Sequence, residues 1–188
     1  FVADLLDSAQ LPALVSAVVE RFGALSGLVN NASGFYATPL GSINAGQWDD
    51  LIGSNLRAPL FLAQAAAPHL RAARGGIVNI VDIHATRPLK EFVVYSIAKA
   101  GLAGLTRSLA LELAPDVRVN GVSPGAILWP EAGEHFAADE QRRVLASTPL
   151  GRIGNADDIA GAVKYLLLDA PYVTGQIVAV DGGREVFL

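Results

Sequence analysis

Residues 75–82 read GGIVNIVD, and residues 93–114 read VVYSIAKAGLAGLTRSLALELA. The first is a β-branched run opened by glycines, the pattern of a buried strand. The second is apolar or small almost all round, the pattern of a helix covered on more than one side. A further β-branched run, VRVNGV, follows at 117–122. Strand, helix, strand is a βαβ unit, and it closes as two parallel strands with the helix crossing one face.

The same alternation extends outward. Leu11, Leu14, Val15, Val18, Val19 and Phe22 recur at helical spacing, and Gly23 is a stop signal. LSGLVNNA at 25–32 reads as a short buried strand running to about Asn30, and residues 31–46 read as loop. Residues 47–73 read as one long helix, expected to bend near Pro59, which has no backbone donor. Residues 126–150 read as irregular or partly helical. Asn155 is placed to cap a helix over ADDIAGAVKYLLL, and GQIVAV at 175–180 is a last strand. The expected fold is α/β: a Rossmann-type, doubly wound parallel sheet of about four strands, helices on both faces, one domain over 1–188. Ligands of such sheets bind at the carboxyl ends of the strands. Asn31, Asp82 and Ser123 all fall at such ends and are expected to line one crevice.

The composition limits the function. With 52% apolar and 17% charged residues the chain is globular rather than disordered. A net charge of −4 gives no basic footprint for nucleic acid. No apolar run reaches the length of a membrane span, and the start carries no signal-peptide pattern, so a soluble, cytoplasmic protein is expected. The absence of cysteine excludes disulfides and fits a reducing compartment. His69, His84 and His135 lack paired ligand spacing, so no metal is expected.

Tyr95 and Lys99 lie four apart, one turn from each other on one helix face. A phenol of pKa about 10 is a poor proton donor near neutrality. The ammonium is expected to stabilise the phenolate and lower that pKa, so that Tyr95 gives a proton to substrate as hydride arrives at the neighbouring atom. Alone, Tyr-x-x-x-Lys is common, and its ordinary meaning is a surface lysine beside a packed tyrosine.

Here the pair stands in an ordered set. NNAS (30–33) follows a strand and SNLRAP (54–59) lies in the long helix. IVNIVD (77–82) precedes YSIAK (95–99), RVNGVSPG (118–125) comes next, and YVTGQIVAVDGG (172–183) closes the chain. In order and spacing the set resembles the short-chain dehydrogenase/reductase family over nearly the whole length. The resemblance implies a nicotinamide-dependent oxidoreductase, usually a homotetramer. It implies Tyr95 as proton donor, Lys99 on the nicotinamide ribose, and Asn55 as a helix-kinking asparagine supporting a water relay to the lysine. It places Asn31, Ala32 and Ser33 along the cofactor and Pro124, Gly125 and Ile127 against the nicotinamide.

Asp82 departs from the family pattern, which has serine thirteen residues before the tyrosine. An ionised carboxylate repels a carbonyl oxygen but accepts hydrogen bonds from N–H groups, which suits a nitrogen-rich ring. Asp82, NNASGFYATPL (30–40) and GAILWPE (125–131) resemble the pteridine reductase branch. That resemblance implies a pterin stacked on Phe35, contacted by Ser33, Asp82 and Tyr95, with Trp129 a candidate wall of the pocket. It also implies NADPH as the cofactor.

Other readings compete. Asp82 can simply satisfy backbone donors in its turn. Phe35 and Trp129 can be loop packing, and His84 a loop histidine with one hydrogen bond. The charges between Glu131 and Arg143 read as a solvated face. The chain begins at Phe1 and contains no methionine, and no strand with a glycine-rich pyrophosphate turn precedes the first helix. The expectation is a piece of a longer chain, the C-terminal three-quarters of the domain. The alternatives to a pterin reductase are a 3-oxoacyl carrier-protein reductase, which serine at 82 favours, and a non-catalytic binding or oligomerisation protein on a truncated Rossmann scaffold.

Overall fold

Four parallel strands, β1 (Gly27–Asn30), β2 (Gly76–Ile80), β3 (Arg118–Pro124) and β4 (Ile177–Val180), pair in chain order in the computed structural model, which describes residues 1–128 and 138–187. The helices are α1 (Leu11–Phe22), α2 (Ala45–Ile52), α3 (Ala58–Ala73), α4 (Val93–Leu113), α5 (Ala138–Ala146), α6 (Ala156–Lys164) and α7 (Arg184–Phe187). The doubly wound sheet expected from the sequence is thus present.

Side chains alternate across each strand, and the alternation separates two layers. Ile77 and Val119 pack with α1, α3 and α4 through Val15, Ala63, Leu70 and Ala110. Val78 and Val122, one or three positions away, pack instead under α6 and the turn after it through Ile159, Val163 and Leu166. A buried polar chain ties the first layer together. Asn30 Nδ2 donates to Asn79 Oδ1 at 2.7 Å, Asn79 Nδ2 to Thr106 Oγ1 at 2.9 Å, and Thr106 Oγ1 to the Leu102 carbonyl at 2.8 Å. These bonds join β1, β2 and α4 where an unpaired amide would be costly.

The long helix is interrupted, though not by Pro59 itself. A π turn over Gly53–Arg57 separates α2 from α3, and Pro59 sits in the first turn of α3, where its missing N–H is harmless. Both α2 and α6 open with capping boxes, Asn44 with Gln47 and Asn155 with Asp158. The α6 segment is fixed at each end to β3. Gly154 N–H donates to the Ala126 carbonyl at 2.9 Å, just past the strand. At the other end the Arg118 guanidinium, from the first residue of β3, donates to the carbonyls of Leu166, Leu167 and Ala170. That is where a cation best meets a helix C-terminus.

Among the described residues no helix is long and apolar enough to cross a membrane, and no cluster of histidine or carboxylates is set to hold a metal ion.

Candidate active site

The carboxyl ends of β1, β2 and β3 open into one cavity of about 950 Å³, a size ordinary for a small-molecule site. Asn31, Phe35, Asp82, Tyr95, Pro124, Gly125 and Ile127 line it together. Residues separated by almost a hundred positions thus meet because each follows a strand end or sits on the helix crossing behind them.

Asp82 is held by its turn. Its Oδ1 accepts from His84 N–H at 2.8 Å and caps the short 3₁₀ turn Ile83–Ala85. The turn-satisfying role open to any aspartate is therefore filled, by one oxygen only. The other oxygen, Oδ2, accepts from the Tyr95 hydroxyl at 2.8 Å. Tyr95 is buried, with its ring edge-on to Phe35 at 4.8 Å between centroids. Phe35 itself stacks on Phe92 at 4.6 Å and 20°, yet stays 42% exposed. One ring face is taken by protein and the remainder looks into the cavity.

Lys99 lies behind this wall rather than on it. It is 3% exposed, its Nζ donates to the Ile80 carbonyl at 2.9 Å, and it stands 5.6 Å from the Tyr95 ring centroid. Burial pulls its pKa down to about 8, with the Asp82 charge opposing. The expected direction for Tyr95 is reversed. Its pKa is raised, first by burial, then by the Asp82 charge and hydrogen bond, with the Ser33 hydroxyl pulling the other way. The lysine faces a carbonyl, the carboxylate faces the phenol, and so the tyrosine is held as the neutral acid.

Asn55 is also behind the wall. Its Oδ1 accepts from Ser33 Oγ at 2.7 Å, and its Nδ2 reaches the carbonyls of Gly34 and Leu51, each at 3.0 Å. The wider π turn aims this amide at the loop after β1, so Asn55 positions Ser33 and Gly34. A Cβ at Gly34 would meet Ser54 Oγ at 3.2 Å and Leu51 Cδ2 at 3.4 Å, which shows how closely that loop sits on the helix. Ala32 and Ser33 are exposed beside the cavity rather than lining it. Ser123, expected in the crevice, is instead buried inside β3, because the strand continues through Pro124 opposite Val180. Trp129 lies outside the described residues.

Comparison with known proteins decides the family. Residues 1–185 match the family described as enoyl-(acyl carrier protein) reductase, of the short-chain dehydrogenase type. The chain is a short-chain dehydrogenase/reductase. It is 40% identical over 198 residues to pteridine reductase 1 of Leishmania tarentolae, covering 93% of this chain and 68% of that one. It is 35% identical over 184 residues to 3-oxoacyl-[acyl-carrier-protein] reductase of Staphylococcus aureus (strain N315), covering 96% and 74%. The crystal structure of a Sinorhizobium meliloti 1021 protein of the short-chain alcohol dehydrogenase type superposes with a TM-score of 0.95 at 34% identity, covering 99% of this chain and 75% of that one. Short-chain dehydrogenase/reductases are oxidoreductases that use nicotinamide cofactors.

The cavity also carries residues to which the sequence reading gave no role in the site. His84 lines it, with Nδ1 2.8 Å from the Arg87 carbonyl, a loop histidine with one hydrogen bond as expected. Glu140, Val144 and Arg184 line it as well. The signal for Arg184 was available: it follows β4, so the strand-end rule that placed Asn31 and Asp82 places it too.

Proposed function

We propose that this short-chain dehydrogenase/reductase is an NADPH-dependent reductase of C=N bonds in a pterin ring. The observation that carries the reading is the 2.8 Å hydrogen bond from the Tyr95 hydroxyl to the Asp82 carboxylate. Where a hydroxyl would hold a substrate carbonyl, this site presents an acceptor-only group, and a ring bearing amino and N–H groups satisfies it.

The roles follow from position. Phe35 offers the free part of its ring to a flat substrate, with Ser33 at its edge and Asp82 beneath the N–H groups. Asn31, Pro124, Gly125 and Ile127 converge on the same cavity, and the cofactor fits there beside Ala32 and Ser33. When bound, NADPH supplies the hydride to carbon. Tyr95, kept neutral by burial and by Asp82, breaks its O–H bond and delivers that proton to the ring nitrogen, so that C=N becomes CH–NH. Substrate thereby replaces Asp82 as acceptor of the Tyr95 hydrogen bond, and the Lys99 ammonium steadies the phenolate that remains. Asn55 holds the loop that carries Ser33.

The test is an assay of the full-length protein with NADPH against dihydrobiopterin and against a 3-oxoacyl thioester. The pterin is expected to be the better substrate. Asp82→Ser is expected to lower its kcat/KM about ten- to hundredfold through the lost charged hydrogen bond, while NADPH binding persists. Better turnover of the thioester, or an unaltered pterin rate in Asp82→Ser, overturns the pterin reading and leaves the reductase family intact.

A further inference from the structure

The reaction just described gives no task to Glu140, Lys164 or Arg184, charged residues that also line the cavity. Arg184, the first residue of α7, lines the same cavity as Asp82 and Tyr95. Its Nε donates to Ser147 Oγ at 3.3 Å. The two Nη groups have no hydrogen-bond or ion-pair partner among the described residues, where the ion pairs are Arg142–Asp139, Arg143–Glu140 and Arg152–Asp158.

Most of the surrounding wall is apolar, with Glu140 and Lys164 also on it. Leu89, Val144 and Ile127 share the cavity wall. Burial lowers the Arg184 pKa, and Asp82, Glu140 and Asp181 act against that from a distance. A guanidinium stays charged under such conditions. A fixed cation with unpaired donors, facing an apolar cavity, is a receptor for an anion. The backbone makes the placement firm. Asp181 Oδ1 accepts from Gly183 N–H at 2.8 Å and Asp181 Oδ2 from Glu185 N–H at 2.5 Å. Thr86, just past the Asp82 turn, donates to the Glu185 carboxylate. The segment carrying Arg184 is thus pinned to the turn carrying Asp82.

We propose that Arg184 selects substrates bearing a carboxylate, while Asp82, in the same cavity, reads the N–H groups of the ring. This rests on the pterin reading for the ring and on Arg184 alone for the anion. The substrate class is a reducible, N–H-bearing ring with an acidic substituent.

Two arms test it on the full-length protein. The first compares dihydrofolate, which carries carboxylates, with dihydrobiopterin, which carries none. In Arg184→Gln the ratio of their kcat/KM values is expected to shift about ten- to hundredfold against dihydrofolate, through KM, and Arg184→Lys is expected to recover part of it. An unchanged ratio overturns the proposal. So does a KM for NADPH that rises by the same factor, which would make a cofactor phosphate the anion.

The second arm needs no turnover. By calorimetry, 1-naphthoate is expected to bind the wild type more tightly than 1-naphthamide, and Arg184→Gln is expected to abolish that preference. If neither pterin is reduced, the pterin reading fails, and this titration alone decides the anion site. An equal affinity for acid and amide in the wild type overturns it.

Discussion

Tyr95 donates its hydroxyl hydrogen to Asp82 Oδ2 across 2.8 Å, so the proton stays on the phenol with the carboxylate as its acceptor. Burial raises the energy of the phenolate, and the carboxylate raises it further. The site therefore holds its proton tightly until a better acceptor displaces Asp82.

The spectroscopic consequence is direct. In an alkaline titration of the ligand-free protein, the difference between wild type and Tyr95→Phe is expected to show no phenolate at or below pH 10. A phenolate signal near neutrality that vanishes in Tyr95→Phe would mean that Lys99, not Asp82, governs the ring. With the donor removed, Tyr95→Phe is expected to lower kcat about 10²- to 10⁴-fold.

Lys99 sets a pH dependence of stability. Its pKa is about 8 in the folded protein against 10.5 ordinarily. Below about pH 8 both states bind the proton and the cost of burying the ammonium is fully present. Between about pH 8 and 10.5 the unfolded chain binds more protons, so stability rises with pH. Tyr95 acts with the opposite sign, because its raised pKa removes stability only above its ordinary 10.0. In urea unfolding, wild type is expected to gain about 2 kcal/mol relative to Lys99→Met between pH 8 and pH 10. Parallel curves for the two proteins would show that the buried amine does not titrate there.

Asn55→Ala leaves the Ser33 hydroxyl and the Gly34 and Leu51 carbonyls short of a partner beside a buried site. The expected cost is about 1–3 kcal/mol, read as a lower urea midpoint at constant m. The KM for cofactor is expected to rise with it, since the loop after β1 loses its anchor. Unchanged values for both would assign the loop's position to backbone packing.

The division between legible and illegible features follows from the range of the interactions. Strands β2 and β4 were readable because β-branched runs beside glycine are local signals, and Asn155 announced α6 as a capping residue. The end of β3 was not, because Pro124 reads as a terminator while its pairing with Val180 comes from β4, over fifty positions later. Tyr95 and Lys99 could be placed on one helix face by counting, but the lysine's choice of the Ile80 carbonyl could not. The reversed direction of the Tyr95 pKa came from burial, which spacing does not reveal. Glu140 joined the cavity through tertiary packing alone, whereas Arg184 stood at a strand end and could have been placed there.

Assembly offers a separate check, and here we propose the homotetramer expected from the family resemblance. Ile97, Gly104 and Leu111 lie seven apart along α4 and fall on one stripe of the helix. Ile97 and Leu111 are exposed, and a Cβ at Gly104 would meet nothing within 4 Å. Leu60 of α3 is also exposed. Sedimentation of the full-length protein at micromolar concentration is expected to give a tetramer, and Ile97→Glu a smaller species. A monomeric wild type would remove this proposal.

The two attachments of α6 make it a strut of fixed span. From Arg118 to Ala126, β3 and the two residues after it cover at most about 26 Å at about 3.3 Å per residue. From Asn155 to Asp169 the helical segment runs back over about 21 Å at about 1.5 Å per residue. The two lengths close a ring through Gly154 and the Arg118 guanidinium. Adding one residue within α6 would turn every later side chain by about 100° and push the closing carbonyls off Arg118. Divergence along this wall is therefore confined to exchange of side chains at constant length. Ala156, Ile159, Ala160 and Val163, which line the cavity, are the positions where its bore can be widened or narrowed without breaking the ring.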